Sequence, residues 1–404
     1  MTKENSQSDW TAIYKGKLMK KLGLYVHVPF CLKKCDYCGF LSFGGCQDKI
    51  DSYFDMLLQE LGYYRSRMEK EYMVDTVFFG GGTPTLAGPK NIGRVMAALG
   101  GWIAQGAEVT MEANPKTFDK ESLLEYRRAG VNRLSIGCQS LDDRVLKNLG
   151  RVHTKAEFLE AFEAGRGAGF DNINVDLMFG VPGQSEGVWD ETLSQVIDLG
   201  PEHISFYSLQ IEEGTPFYAL YKADKLQVPS DADERKMHHQ AIGKLNAAGY
   251  DHYEISNCAK PGYRCRHNLK YWNMEEYLGL GLGASSFVGS VRFKNGDNLD
   301  DYLKLGTFDG EECQNLSKFV EESHINDEKD NAGETVFTGL RKMEGFSKKR
   351  FEEIVGQSYD DFFGYIYEER QRFIAQGLLA EDQERVHLTE AGIDRSNDIM
   401  SEFV

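Results

Sequence analysis

Six short apolar segments, rich in β-branched and aromatic residues, recur through the first half of the chain with amphipathic stretches between them: LGLYVHV from Leu22, VDTVFF from Val74, AEVTMEA from Ala107, NRLSIG from Asn132, NINVDLMF from Asn172 and HISFYSL from His203. Strands that alternate with helices imply an α/β fold, with a parallel sheet joined by right-handed crossovers. Two of the intervening stretches carry a clear helical signal. Trp189, Leu193, Val196 and Ile197 share one helical face, and Gly200-Pro201 ends that run. Thr117 to Gly130 has Asp119 and Glu121 in its first turn and a glycine at its end. Six such units predict a partial (β/α)6 barrel, and ligands gather at the C-terminal ends of strands in barrels and open sheets alike.

The rhythm stops after about Gln210. A helix expected from Asp231 to Ala248 leads into YEISNCAKPGYRCRHNLKYW and the glycine-rich YLGLGLGASSF, which together predict a sheet extension over 231–320 beside a barrel spanning 22–230. Residues 1–21 have no apolar core and no cleavage signal, and are expected to form a flexible N-terminal arm of a cytoplasmic protein. The polar, acidic stretch from Glu321 to Glu334 suggests a linker into a C-terminal winged-helix-like helical domain, 321–404, built from helical segments and an LLAEDQERVHL hairpin. Winged helices often bind DNA, but residues 332–404 hold fifteen acidic against nine basic side chains and the whole chain has a formal net charge of -17. Nucleic acid is therefore an unfavourable partner.

At the exit of the first expected strand, YVHVPFCLKKCDYCGF places Cys31, Cys35 and Cys38 in a C-x-x-x-C-x-x-C loop. Three thiolates satisfy three irons of a [4Fe-4S] cluster and leave the fourth with an open coordination position. Ferredoxin cubanes and structural zinc sites close their coordination with four ligands. A zinc site completed by Cys46 or His27 is the alternative, although the spacing suits zinc poorly. Cys138, Cys258, Cys265 and Cys313 read as small buried residues.

One βα unit later comes Gly80-Gly81-Gly82-Thr83-Pro84-Thr85. No Lys-Ser/Thr follows, and Pro84 removes a backbone donor, so the loop suits main-chain contact with a ligand amino group better than phosphate binding. Polar residues then stand at successive strand ends: Glu112 in MEANP, Gln139 in SIGCQS, Arg151 in LGRVH and Asp176 in NVDLMFGVPGQ. Alone, each could be a solvated cap; together they form a candidate ligand cradle on one rim. Glu112 and Arg151 suit the two charged ends of an amino-acid group, and Gln139 and Asp176 can hydrogen-bond sugar hydroxyls.

Taken in order, YVHVPFC, CDYCGF, GGGTPT, MEANP, SIGCQS, LGRVH, DLMFGVPGQ, YEISN, HNLKYW and GLL…LTEAG resemble the HemN/HemW group of radical S-adenosylmethionine (SAM) proteins, from about Leu22 to the C-terminus. This group comprises oxygen-independent coproporphyrinogen III oxidases and their heme-chaperone relatives. The resemblance implies a radical SAM barrel with a cluster on Cys31, Cys35 and Cys38. It also implies SAM contacts at Tyr25, Gly81, Gly82, Thr83, Glu112, Gln139, Arg151 and Asp176. The oxidases resemble C-x-x-x-C-x-x-C-x-C, whereas this chain has Phe40 at the last position, which argues against oxidation of coproporphyrinogen. The HNLKYW segment points instead to the heme-chaperone branch. That branch implies heme as a further cofactor, His267 as a heme contact, and heme-accepting proteins as partners, with a transient membrane-protein acceptor among them. A radical SAM centre further implies an electron donor such as flavodoxin or ferredoxin.

Overall fold

The computed structural model describes residues 11–14, 17–308 and 316–404. All six expected strands form, as Lys17–Val28, Tyr72–Gly81, Ile103–Ala113, Arg133–Gln139, Ile173–Phe179 and His203–Ser208. They pair in sequence order and all in parallel. Helices Ile50–Met68, Gly88–Leu99, Lys120–Ala129, Lys155–Gly167 and Glu186–Leu199 stand between them. The local signals explain the helix ends. Asp119 caps Lys120–Ala129 in a reciprocal pair with Ser122, and Gly130 closes it in the left-handed region. Trp189, Leu193 and Val196 are the buried face of Glu186–Leu199, and Gly200 ends it with φ 69°.

Residues beyond Gln210 extend the sheet at both edges rather than on one side. Asn257–Ala259 joins the His203–Ser208 edge and is followed by Asp251–Glu254, both antiparallel. At the other edge Tyr277–Leu280 adds in parallel to the first strand, followed by Ser285–Val288, Val291–Asn295 and Val320–Ile325 in antiparallel order. The C-terminal region has its own core, centred on Phe346, Phe351, Tyr359 and Phe363. The hairpin Leu379–Glu381 and Arg385–Leu388 forms, joined by Phe346–Ser347.

Three expectations change. The arm does not run to residue 21: Lys17–Lys21 belong to the first strand, which pairs with Thr11–Tyr14, while residues 1–10 and 15–16 lie outside the described residues. The acidic stretch 321–334 is no linker. Val320–Ile325 is an edge strand with almost no buried face, which is why its sequence lacks strand alternation, and Asp327 caps the helix Glu328–Gly339 in a capping box with Asp330. HNLKYW is a helix, Arg266–Trp272, and not part of the sheet. Its register aligns His267 with Tyr271 one turn later, and the Glu108 carboxylate accepts the N-terminal amides of Arg266 and His267, each at 3.0 Å. Among the described residues no helix is long and apolar enough to cross a membrane.

Candidate functional site

The parallel strands end around a cavity of about 620 Å³, a size suited to a small-molecule ligand. The cysteine loop forms one wall. It is pinned from several sides: Phe43 N–H donates to Pro29 O at 2.7 Å, Gln47 Nε2 to Cys31 O at 3.1 Å, and Phe217 N–H to Asp36 O at 3.0 Å. Cys31, Cys35 and Cys38 are half-buried and all face the cavity. Burial pushes the Cys38 thiol up. No three His, Cys, Asp or Glu side chains among the described residues are placed to hold one metal ion. Three thiols on one wall suit a cluster that takes each thiolate on a different iron.

The glycine loop is stitched to the cysteine segment by Gly82 N–H to Val28 O at 2.9 Å and Thr83 N–H to Phe30 O at 2.7 Å. This closeness explains the glycines. Gly81 has φ 112°, and a Cβ there would lie 2.5 Å from the His27 ring; a Cβ on Gly82 would lie 2.7 Å from the Phe30 carbonyl oxygen. Gly81 N–H donates to Glu112 Oε2 at 3.0 Å. Burial pushes the Glu112 carboxyl up to about 8, with the Asp176 charge adding to the rise and the Gly81 amide opposing it. Asp176 is likewise raised by burial, against hydrogen bonds from Asn174 Nδ2 at 2.7 Å and Ser135 Oγ at 3.1 Å. Gln139 adopts φ 65°, a conformation rare for a side chain of this kind and one that concentrates at binding sites.

Arg151 spans the wall. Its Nη2 donates to Asn114 Oδ1 at 2.6 Å and Gly137 O at 3.0 Å, its Nη1 lies 3.8 Å from Cys35 Sγ, and its buried Nε has no partner. The cavity thus brings together Cys31, Cys35, Cys38, Gly81, Gly82, Thr83, Glu112, Gln139, Arg151 and Asp176. It does not include Tyr25, whose hydroxyl hydrogen-bonds His27 Nδ1 at 3.0 Å while His27 Nε2 engages Leu41 O at 2.9 Å. Tyr25 lies below the cavity on the same side of Gly80 as Glu112, with its ring stacked on Phe78. His267 is also elsewhere: it is buried beneath the barrel, with Nδ1 on Thr76 Oγ1 and Nε2 on the Tyr271 hydroxyl, both at 2.8 Å. Neither ring nitrogen is free to take an iron in this arrangement. Cys265, two residues away, is buried with its Sγ 3.6 Å from Glu108 Oε1. Cys138 and Cys258 are buried too, and Cys313 lies outside the described residues.

Several lining residues escape the sequence reading, among them Asn114, Ser135 and Tyr207. Ser135 had a usable signal. Ser135, Gly137 and Gln139 alternate with Leu134, Ile136 and Cys138, so one face of that strand is small or polar and turns to the cavity. Asn114, which bonds Thr83 Oγ1 at 3.1 Å as well as Arg151, follows Glu112 in the same strand-end motif.

A parallel barrel with three cavity-facing thiols and a glycine loop behind them defines a class, and residues 25–196 match the radical SAM superfamily. Residues 326–395 match the HemN C-terminal domain. The heme chaperone HemW of Bacillus subtilis is 34% identical over 94% of this chain and 98% of its own length. That of Escherichia coli is 36% identical over 95% and 98%. In fold, coproporphyrinogen III oxidase from Escherichia coli superposes with a TM-score of 0.81 at 23% identity, covering 95% of this chain and 90% of its own. The chain belongs to the HemW family of the radical SAM superfamily. With that membership come a [4Fe-4S] cluster and SAM as cofactors, and the cavity fits both. It offers thiol donors for the cluster, main-chain approach at Gly81 and Gly82, and half-buried charges of both signs in Glu112 and Arg151. The cluster, when bound, supplies one electron at a time.

Proposed function

We propose that this protein is a heme chaperone: it binds heme and passes it to acceptor hemoproteins, with SAM and the cluster in its barrel. The similarity to heme chaperones along nearly the whole chain is the observation that carries this reading. Cys31, Cys35 and Cys38 would hold the cluster, which would leave one iron open for SAM. Glu112 accepts from the SAM ammonium, beside main-chain groups of Gly81 and Gly82 and the Thr83 hydroxyl. Arg151 meets the carboxylate, while Gln139 and Asp176 reach the ribose. Tyr25 acts from below as a positioning residue, since its hydroxyl holds the His27 ring that backs Gly81.

A one-electron donor such as flavodoxin or ferredoxin would supply the cluster with electrons. The setting is the cytoplasm, and acceptors include membrane hemoproteins reached from that side. The test loads the reconstituted protein with one equivalent of hemin and mixes it with an apo-cytochrome of the b type. Transfer appears as growth of the acceptor's Soret band matched by loss from the donor. Heme that stays bound, or is consumed when SAM and reductant are present, contradicts the proposal.

A further inference from the structure

Thirteen large hydrophobic side chains are exposed among the described residues, and four of them line one cavity: Phe40 (71% exposed), Leu32 (47%) and Val152 (41%) at its mouth, and Tyr207 (40%), whose hydroxyl reaches in toward Asp176. Single exposed apolar residues are ordinary on a protein surface, whereas several around a concave site mark a place where an apolar ligand or partner rests. Phe40, Leu32 and Val152 are exposed, whereas the charged residues of the cavity are half-buried. Glu112, Asp176 and Arg151 meet the demands of an amino acid and a sugar, neither of which covers an exposed phenyl ring.

Cations stand beside the same mouth. Lys33 is exposed and makes no hydrogen bond or ion pair among the described residues. Lys34 donates from Nζ to the Phe40 carbonyl at 3.0 Å, leaving further ammonium donors for a ligand and tying its charge to the aromatic residue. Both cations flank apolar Leu32 in a chain whose net charge is -17. A ligand suited to this rim has a broad apolar face and anionic groups at one edge.

We propose that the mouth is the heme site: the porphyrin lies across it with one face on Phe40 and its propionates toward Lys33 and Lys34. This rests on the heme-chaperone reading and gives that function a place in the structure. Heme is held here by its face and its carboxylates, and His267 has no part in it. The porphyrin also closes the cavity, so SAM bound first leaves more slowly while heme is in place. Glu212 lies on the same rim and carries the opposite sign, which directs the propionates to the lysine side.

The test uses the full-length protein, reconstituted anaerobically, with hemin and metal-free protoporphyrin as probes followed by absorbance and fluorescence. Iron and sulfide contents are recorded for every variant. The wild type is expected to bind one equivalent of either porphyrin. Phe40→Ala is expected to weaken both by about tenfold and Phe40→Trp to restore them, given the usual contribution of a stacked aromatic ring and its buried area. The double variant K33E/K34E is expected to lose several-fold in hemin affinity, and much less for the porphyrin dimethyl ester. Should Phe40→Ala lose iron, Val152→Ala, outside the cysteine loop, carries the same expectation for porphyrin affinity. Unchanged hemin affinity in the mouth variants with full iron content overturns the site. So does a wild type that binds hemin but not protoporphyrin, because iron ligation then dominates. A wild type that binds no stoichiometric heme overturns the chaperone reading itself.

Discussion

At the mouth of the barrel Glu112, Asp176 and Arg151 are half-buried charges turned toward a cavity, held largely by main-chain groups and short polar side chains. At the opposite end the polar residues are more deeply buried and turned toward one another. His203 is bonded on both nitrogens, to Asn174 Oδ1 at 2.6 Å and the Tyr253 hydroxyl at 2.8 Å. Glu108 takes two helix amides, His267 has two partners, and Lys270 pairs with Asp75 at 2.8 Å and Glu275 at 3.0 Å. The helix Arg266–Trp272 is the plug at this end, and Arg341 of the C-terminal region lies over its Trp272 ring at 4.5 Å. A buried polar residue thus points to ligand chemistry only where its hydrogen-bonding capacity remains open to a cavity. Where the protein itself uses that capacity, the residue holds elements together.

Mutations at the two ends should separate along this line. The largest effect falls at the mouth: Cys35→Ser should abolish the iron-sulfur absorbance after reconstitution while far-ultraviolet circular dichroism stays native. At the floor, Glu108→Ala leaves two helix amides without an acceptor and should cost about 3 kcal/mol in denaturant unfolding, with SAM affinity retained. His267→Ala should cost about 2 kcal/mol, from a buried ring and two hydrogen bonds. Its heme affinity and Soret band should match the wild type, and a clear loss of either would erase the distinction between the two ends.

Glu112→Gln should do the reverse, lowering SAM affinity about tenfold as a charge-assisted hydrogen bond is weakened, with little change in unfolding. Its pH dependence follows from burial. With a carboxyl pushed up to about 8, binding of the SAM ammonium displaces a proton below that pH. SAM affinity should therefore rise from pH 6 to pH 8 in the wild type and stay flatter in Glu112→Gln. The smallest effect concerns acid. Burial, with Lys270 adding, lowers His267 to about 3, so its ring is neutral in the fold and takes up a proton on unfolding below about 6.5. Its contribution to stability is present above pH 6.5 and is lost as pH falls toward 3, and the unfolding profile of His267→Ala should be shallower across that window.

The same contrast explains what the sequence made legible. The six strands were readable because parallel strands buried on both faces leave dense apolar runs, and the rim residues because a charge such as Glu112 or Asp176 interrupts such a run near its end. Tyr25 carries no comparable signal: its neighbours on the strand are apolar whether the ring faces a ligand or backs the wall. The helix Arg266–Trp272 was hidden by its tyrosine and tryptophan, which favour strands, and its true stabiliser, Glu108, lies far away in sequence. Val320–Ile325 read as a linker because an exposed edge strand needs no buried face and tolerates charge.

The most direct test of the account is an anaerobic incubation of the reconstituted protein with SAM and reductant, run in parallel with heme and with coproporphyrinogen III. Porphyrin products and deoxyadenosine are measured together. One heme bound per chain and recovered intact is expected, with no protoporphyrin from coproporphyrinogen. Protoporphyrin formed over many turnovers with matching deoxyadenosine would contradict it.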